Sequence, residues 1–459
     1  MSAVLKLPCS FILTDEKDGQ LAQGEAEALL ETETLTILPR LGVETIHLSL
    51  VDILEMETQD YRARLKLSSL ETLSIYDLGY KFDDFVTDLS KARNEMILKY
   101  LLMDESAKKA GAVSGNLSLV DPAGSERLFE NCGLKIYETS IVFIPGVAEP
   151  VRIHFSNIAQ MEAKDYGITI TTEQGQRLTY SNIGMEYEAT VKDLSSAVNA
   201  RTLQNQAIIK ELAPFADPAT IRNVARLMKD GRAAKRSDIE SVSADVWSAI
   251  EKKIVQSSIS SEYLHLKSIA QQDKISVGIK RGLMGNITGN YLWILVPIYG
   301  TNSTPGNAIA LEAATLAAGS QDSNPTVGGE GDAQHDEEEG GAGGKATYFF
   351  RAMDRKDYPA SNIEALNSSA DSMISEINQF MLDINFRREP IMLSDEQLQE
   401  PKYARYRYAI QKIPSLAHLR KVFIGRVIHS SLDQWKSDVA ELLKFNVLAT
   451  QEDARWKKG

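Results

Sequence analysis

The chain repeats itself at a constant offset of 105 residues, without a gap. The matched pairs lie between Ile53 and Asn199, and self-similarity of this kind constrains the fold before any other feature does. The pairs are Ile53/Ile158, Met56/Met161, Glu57/Glu162, Asp60/Asp165, Tyr61/Tyr166, Leu73/Leu178, Gly79/Gly184, Val86/Val191, Asp88/Asp193, Leu89/Leu194, Ser90/Ser195, Ala92/Ala197 and Asn94/Asn199. The period has the size of a small domain. We therefore predict two copies of one domain, at residues 1–104 and 105–212.

The composition is that of a globular protein with an acidic surface. A length of 459 residues predicts about three domains at about 150 residues each. The net charge is −13 and the sequence pI is near 5.2. Such a charge argues against a nucleic-acid-binding protein that acts through a positive field over its whole surface, but it leaves a local basic patch open.

The two cysteines, Cys9 and Cys132, do not occupy equivalent repeat positions. A disulfide framework or a cysteine metal site needs more ligands than this. We predict reduced, buried thiols in a cytoplasmic protein without a cofactor. The N-terminal segment lacks the apolar stretch of a secretory signal. The strongest apolar run, residues 291–299, is shorter than the ~20 residues of a membrane helix, and we interpret it as a buried strand.

Each repeat shows short alternating apolar segments followed by one amphipathic segment. In the first repeat, Leu35 and Ile37 and then Ile46, Leu48 and Leu50 keep the period of two of a half-buried strand. Strands this closely spaced predict an antiparallel meander. After Gly79, which permits the turn, the spacing becomes helical, and Leu89 and Leu194 are predicted to plug the two sheets. Asn94 and Asn199 are expected to cap the helix or bond to the sheet.

A meander of about seven strands closed by one helix resembles the pleckstrin-homology-like (PH-like) superfamily, especially its bacterial PH and GRAM-like branch. The pattern that carries the resemblance is LTILPRLGVETIHLSLVDILEME, matched by SIVFIPGVAEPVRIHFSNIAQME. It covers residues 5–210 and implies two tandem small β-barrels, each closed by a C-terminal helix. A small barrel from another superfamily is the alternative. Members of the superfamily that bind phosphoinositides use Lys and Arg in the first loop. The acidic TDEKDGQLAQGEAE found here argues against that function.

The rest of the chain divides into a helical connector, residues 213–272, and an α+β domain, residues 273–459. Asp217 is predicted to cap a helix that starts at Pro218. Strands are predicted at KISVGIK, YLWILVPIY and ATYFFRAM, and helices around 368–386, 395–412 and 415–447. The segment NAIALEAATLAAG is predicted as a helix, and the acidic Gly-rich insert 319–344 as disordered. Phe380 and Asn385 repeat a spacing seen near the end of each repeat helix, so a diverged third PH-like domain is an alternative for this region.

No arrangement of residues predicts catalysis. The six histidines are scattered and none has a zinc-binding spacing; His418 and His429 are placed on one predicted helix. Two clusters are candidates for binding a partner. Each also has a plain structural interpretation, as a solvated helix junction or as core packing. They are Lys229, Arg232, Lys235 and Arg236 in the connector, and Tyr403, Arg405, Tyr406 and Arg407 in the C-terminal domain, where basic and aromatic residues alternate as in protein interfaces or nucleic-acid sites.

The sequence favours a non-enzymatic scaffold or adaptor that binds other proteins through tandem PH-like domains. One alternative is a chromatin or nucleoid factor, since tandem PH-like domains with an acidic disordered segment resemble the structure-specific-recognition subunit of the FACT histone chaperone, without a motif-level match. Nucleic acid as the partner is not favoured, and the oligomeric state is open. The other alternative is an enzyme with a site in the C-terminal domain. Its candidate residues are Arg351, Asp354, Arg387, Arg388 and Glu389.

Overall fold

The computed structural model divides the chain into two compact units, residues 1–198 and 199–459. It describes residues 5–40, 44–101, 113–229, 231–281, 290–300, 305–315, 346–358, 363–385 and 387–448. The predicted insert 319–344 lies outside these described residues. No helix within them is long and apolar enough to cross a membrane.

The first repeat is a seven-stranded antiparallel sheet followed by one helix. Its elements are β1 (Leu5–Thr14), β2 (Gln20–Leu30), β3 (Thr34–Pro39), β4 (Ile46–Ser49), β5 (Ile53–Gln59), β6 (Arg62–Leu67), β7 (Thr72–Tyr76) and α1 (Phe82–Tyr100). The strand order is β4-β3-β2-β1-β7-β6-β5. Because β1 pairs with both β2 and β7, the meander closes back on its own first strand and the sheet curls.

The second repeat has the same topology. Its elements are β8 (Ser114–Val120), β9 (Glu126–Ile136), β10 (Ser140–Ile144), β11 (Val151–His154), β12 (Ile158–Lys164), β13 (Gly167–Thr172), β14 (Arg177–Ser181) and α2 (Tyr187–Leu212), in the order β11-β10-β9-β8-β14-β13-β12. From β4 to α1, every element begins 105 residues before its counterpart. The predicted fold class is confirmed at the level of an α+β architecture with two tandem curled sheets, each followed by a helix.

The helix of each repeat buries the predicted leucine. Leu89 and Leu194 are both buried, and Leu194 belongs to a core with strand residues such as Leu178. Gly79 and Gly184 adopt positive φ angles of 56° and 66°, which side chains rarely tolerate, so they provide the turn between the last strand and the helix. Cys9 and Cys132 are free and buried, in agreement with the prediction. Burial raises the pKa of their thiols to about 11 and about 12.

The two repeats contact one another through an inter-repeat clasp, formed by Arg93, Asn94 and Leu98 of α1 and by residues 137–149 of the second repeat. The amide of Asn94 donates to the carbonyl oxygens of Pro145 and Ala148 at 3.0 and 3.1 Å. This differs from the predicted cap or sheet contact, because Asn94 bonds to the turn of the second repeat instead. Leu98 packs with a small buried cluster of that repeat.

Arg93 forms the charged part of the clasp. Its guanidinium donates to the carbonyl oxygens of Ile53 and Leu54, both at 2.9 Å, and to a carboxylate oxygen of Glu149 at 2.7 Å. The side chain is only 2% exposed. One buried cation therefore joins α1, β5 and the second repeat.

The second unit combines the connector helices with a six-stranded antiparallel sheet. Its elements are α3 (Pro218–Leu227), β15 (Ala233–Lys235), α4 (Arg236–Val242), α5 (Ala244–Val255), α6 (Ser260–Ile269), β16 (Ser276–Arg281), β17 (Asn290–Ile298), β18 (Ala308–Thr315), β19 (Ala346–Arg351), α7 (Ile363–Ile384), α8 (Glu389–Met392), α9 (Ala404–Lys412), α10 (Pro414–Val422), β20 (Phe423–Ile428) and α11 (Leu432–Leu448). The order runs sequentially from β15 to β20 and differs from the order in the repeats. Connector helices and sheet share one hydrophobic core. The predicted cap is present, since the Asp217 carboxylate accepts from the backbone N–H groups of Ala219 and Thr220.

One predicted helix in this unit contains a strand instead, and a second predicted helix is divided by a strand. NAIALEAATLAAG contains β18, whose Ala, Leu and Glu residues favour a helix locally; pairing with β17 on one side and β19 on the other overrides that preference. The helix predicted over 415–447 is interrupted by β20, because the β-forming residues of FIGRVI pair with β19. His418 lies in α10 and His429 follows β20, so they do not share a helix as predicted.

Candidate functional site

An open groove of about 630 Å³ lies on the first repeat, between the β5–β6 turn and the segment that leads from β7 into α1. We call it the first-repeat groove. Its lining residues are Asp60, Tyr61, Arg62, Tyr76, Asp77, Leu78, Gly79 and Tyr80. The groove therefore combines three tyrosines with two carboxylates and one guanidinium.

The β5–β6 turn holds a tyrosine in an unfavourable backbone conformation. Asp60 and Tyr61 have φ angles of 49° and 55°, and their counterparts Asp165 and Tyr166 have 51° and 58°. Two-residue hairpin turns with positive φ at both positions favour Asn or Asp followed by Gly. A bulky side chain there costs about 1–2 kcal/mol. Both repeats carry this cost at the same place, which points to a use for the aromatic side chain.

The tyrosines of these turns project into solvent. Tyr61 is 73% exposed and Tyr166 is 78% exposed. Each ring still touches the first residue of its helix, with centroid distances of 5.7 Å for Tyr61–Phe82 and 5.6 Å for Tyr166–Tyr187. Since edge-to-face and tilted ring pairs at this separation are favourable, the helix orients the exposed tyrosine in each repeat.

Cations already lie against two rings at the first-repeat groove. The guanidinium of Arg62 is 4.6 Å from the centroid of Tyr76, and the ammonium of Lys81 is 5.5 Å from that of Tyr80. Tyr80 is 92% exposed. Among the described residues, the carboxylates of Asp60 and Asp77 form no hydrogen bond or ion pair. The groove thus offers aromatic faces beside two carboxylates that are available to a ligand.

The equivalent surface of the second repeat keeps the tyrosine but not the rest of the groove. Gly167 replaces Arg62, Ser181 replaces Tyr76, Asn182 replaces Asp77 and Met185 replaces Tyr80. Met185 is fully exposed. This surface therefore has fewer charged and aromatic side chains, with one carboxylate, Asp165, where the first repeat has two.

The basic cluster predicted in the connector lies at the junction of α3, β15 and α4. Lys235 pairs with Asp371 at 2.8 Å. Arg236 pairs with Glu240 at 2.8 Å and lies 5.7 Å from the ring of Trp247. Lys229 and Arg232 are half-buried. At least two of the four cations therefore have structural partners, and partner binding by this cluster stays a prediction.

The tyrosine-arginine cluster of the C-terminal region is largely packed. Tyr403 and Tyr406 are buried and stack at 6.0 Å. The guanidinium of Arg405 lies 5.0 Å from the ring of Tyr406, and Arg407 donates to the carbonyl of Leu398 at 3.0 Å. Burial raises the pKa of Tyr406. These contacts agree with the packing interpretation, and a binding role remains a prediction.

The residues considered for an enzyme have Asn446 and Tyr406 among their neighbours. Arg351 donates to Asn446 at 2.9 Å, whereas Arg387 and Glu389 act electrostatically on Tyr406. No group of three or more His, Cys, Asp or Glu residues within the described part of the chain is arranged to hold a metal ion.

A polar network missed by sequence reasoning is buried between β18, β19 and the end of β20. Glu312 and Thr347 each lie 3.2 Å from Nε2 of His429, and Thr347 also donates to Glu312. The indole N–H of Trp435 donates to the Thr347 hydroxyl at 3.1 Å. Glu312 and Thr347 are buried, so the network fixes the packing of α11 on the sheet.

The residues of the first-repeat groove were also missed as a site. The recurrence of Asp60-Tyr61 as Asp165-Tyr166 was visible in the sequence, and it served only to identify the repeat. A tyrosine in place of glycine at a tight hairpin turn was the signal that could have found it.

Comparison with protein-family models gives no match, and comparison with curated proteins gives none either. Among solved structures, the chain is similar to the C-terminal domain of an unknown protein from Leishmania infantum, at 16% identity over 23% of this chain and 95% of that chain, with a TM-score of 0.18. It is also similar to a chain of the Spt16D Pob3N heterodimer, at 12% identity over 38% of this chain and 84% of that chain, with a TM-score of 0.17. At these sequence identities and TM-scores, neither similarity assigns a family, a partner or an activity to this chain.

Proposed function

We propose that this chain is a non-enzymatic scaffold protein that binds other proteins through its tandem PH-like domains. The observation that carries the proposal is the exposed tyrosine held at the same left-handed turn in both repeats. Tyrosine is enriched among the residues that dominate protein interfaces, because its ring buries a large area and its hydroxyl keeps a polar contact. A strained, exposed and duplicated tyrosine fits that role better than it fits any role in the core.

Site-specific photo-crosslinking in native lysate tests the proposal. A benzophenone-bearing phenylalanine analogue is introduced into the full chain at position 61 or 166. Matched controls carry the analogue at Leu70 and Leu128, which are exposed leucines of the first and second repeat. We expect the same protein to be crosslinked from positions 61 and 166, identified by mass spectrometry, and not from the controls.

A retention experiment shows whether the crosslink reports binding at the tyrosines. The partner identified by crosslinking is purified in its free form and added to full-length chain that carries Tyr61→Ser and Tyr166→Ser. Its retention on this variant is compared with its retention on the wild-type chain. Retention should fall at least tenfold if both side chains are interface anchors, since truncation of such an anchor costs about 2 kcal/mol or more. Equal crosslinking from all four positions, or unchanged retention by the double variant, refutes the proposal.

A further inference from the structure

The chemistry of the first-repeat groove is more specific than protein binding in general. Two carboxylates without described partners, Asp60 and Asp77, face the same groove as Tyr61, Tyr76 and Tyr80. Aromatic faces attract cations through the ring quadrupole, and carboxylates attract the same cations through their charge. Two carboxylates against one guanidinium, Arg62, which already lies against Tyr76, make the groove less favourable for an anionic group than for a cationic one.

The protein's own cations show how the rings of the groove are used. Arg62 lies against Tyr76 and Lys81 lies near Tyr80. Lys81 is held by Asp84 at 2.8 Å, outside the groove lining. Because a ring has two faces and the side chain of Tyr80 is almost fully exposed, a second cation has room to approach it.

We propose that the first-repeat groove binds a lysine or arginine side chain of the partner protein. The cationic group lies against the rings of Tyr61 and Tyr80, and Asp60 and Asp77 balance its charge. This inference rests on the proposed protein-binding function and specifies the chemistry of the partner at one of the two tyrosine turns. The overall charge of −13 favours the approach of a basic segment from a distance as well.

The second repeat supplies an internal control for the inference. Its turn has the same tyrosine at nearly the same φ angle, but Met185 and Asn182 stand where the first repeat has Tyr80 and Asp77. It lacks the second ring and the second carboxylate. We therefore expect selectivity for a cation at Tyr61 and little selectivity at Tyr166.

Fluorine NMR on the full-length chain measures this selectivity directly. A 3-fluorotyrosine is introduced at position 61, 80 or 166. Each labelled protein is titrated with the peptides Ac-Gly-Lys-Gly-NH2, Ac-Gly-Arg-Gly-NH2 and Ac-Gly-norleucine-Gly-NH2. The lysine or arginine peptide should shift the signals of positions 61 and 80 with a Kd of about 10–100 mM, as expected for two exposed cation–π contacts and two exposed charge pairs. The norleucine peptide should bind at least threefold more weakly, and position 166 should not distinguish the peptides.

Amide variants test the two carboxylates. Asp77→Asn introduces the residue that the second repeat already has at this turn, with a φ angle of 56° at Asn182 against 60° at Asp77, so the variant is expected to fold. Asp77→Asn and Asp60→Asn should each weaken cation binding about two- to fivefold, and raising the salt should do the same. Asp83→Asn, an exposed position outside the groove lining, is the matched control and should change nothing.

The outcomes separate the inference from the function on which it rests. Norleucine binding as tightly as lysine, or unchanged binding by both amide variants, overturns the cationic ligand. A crosslink shared by positions 61 and 166 would still support protein binding in that case. Loss of the shared crosslink with retained lysine selectivity would instead refute the scaffold function and leave only a cation site.

Discussion

Replacing Arg93 with methionine removes the buried charge of the inter-repeat clasp and keeps a long apolar side chain in its place. Two guanidinium hydrogen bonds to the carbonyls of Ile53 and Leu54 are lost, together with the ion pair to Glu149. The two carbonyl oxygens lose a charged donor in a region that water reaches poorly, because the Arg93 side chain is 2% exposed. The substitution therefore tests both the first repeat and its contact with the second.

The expected cost follows from the burial of each partner. Hydrogen bonds to charged groups contribute about 1.5–3 kcal/mol each, so loss of the two bonds to the carbonyls of Ile53 and Leu54 accounts for about 3–5 kcal/mol. Glu149 is 38% exposed, so solvent screens its ion pair and reduces the value of that pair to about 1 kcal/mol or less. We expect Arg93→Met to destabilise the first repeat by about 3–5 kcal/mol and Glu149→Gln to cost about 1 kcal/mol.

Hydrogen–deuterium exchange of the full-length chain measures these costs locally, since a protein of several domains has no single free energy of unfolding. Peptides that cover residues 53–67 report on the first repeat, and peptides that cover 137–154 report on the second. Lys91→Met is the matched control, because this exposed lysine lies on the same helix two residues earlier. The double variant gives the coupling energy between Arg93 and Glu149.

A destabilisation below about 1 kcal/mol for Arg93→Met would show that the hydrogen bonds of Arg93 do not stabilise the clasp, because loss of a buried guanidinium with three partners should cost more than that. Zero coupling between Arg93 and Glu149 would show that the ion pair across the repeats contributes nothing. An effect of Lys91→Met as large as that of Arg93→Met would place the loss in the helix itself and not in the clasp.

Three further predictions concern the repeats, and a fourth concerns the insert. Leu89→Ala and Leu194→Ala should each destabilise their own repeat by about 2–5 kcal/mol, measured by hydrogen–deuterium exchange of that repeat, and a loss below about 1 kcal/mol would contradict the burial of these leucines. Gly79→Ala should destabilise the first repeat by about 1 kcal/mol through its backbone angle alone, since no atom lies within 4 Å of the added methyl group. Gly79→Asn should cost less, because asparagine tolerates this angle better than alanine. Equal costs would indicate a steric clash of the added side chain. Burial raises the pKa of Cys132 to about 12, so its thiol should resist iodoacetamide at pH 8 until the protein unfolds. Rapid alkylation of the native chain would contradict this burial. Above about pH 9 the unfolded thiol loses a proton that the folded one keeps, so the free energy of unfolding should fall as the pH rises. Shortening 319–344 to a few Gly and Ser residues should change stability by only about 1 kcal/mol, and unfolding of the second unit would show that the segment is packed.

The sequence predicts the repeats well because their information is local. The offset of 105 residues carries the same alternation and the same glycine before the helix in both copies, so strand, turn and helix follow from short segments. Leu89 could be identified as a core residue from its helical spacing alone. Asn94 could not be assigned to the second repeat, because the spacing of a helix shows which residues share a face and not what that face contacts.

The second unit and the groove depend on non-local contacts, and the sequence predicts them less well. The residues of β18 favour a helix, and only the strands on either side make them a strand. A similar pairing with β19 converts part of a predicted helix into β20. Tyr61 was recognised as a repeated residue, but its exposure and its positive φ angle follow from the register of β5 with β6. Site residues gathered from separate turns, such as Asp60 and Asp77, leave no spacing in the sequence that could identify them together.

The inter-repeat clasp also determines how the two tyrosine turns would meet one partner. Arg93, Asn94 and Leu98 hold the repeats in a single arrangement, so the distance between Tyr61 and Tyr166 is set by the folded protein. A partner with two segments at the matching separation binds the second turn as an intramolecular event, at a high effective concentration and without the entropic cost of ordering two independent domains. A partner with a different separation gains only one contact. If the chain binds partners as proposed, the clasp would make it select them by the distance between their binding segments.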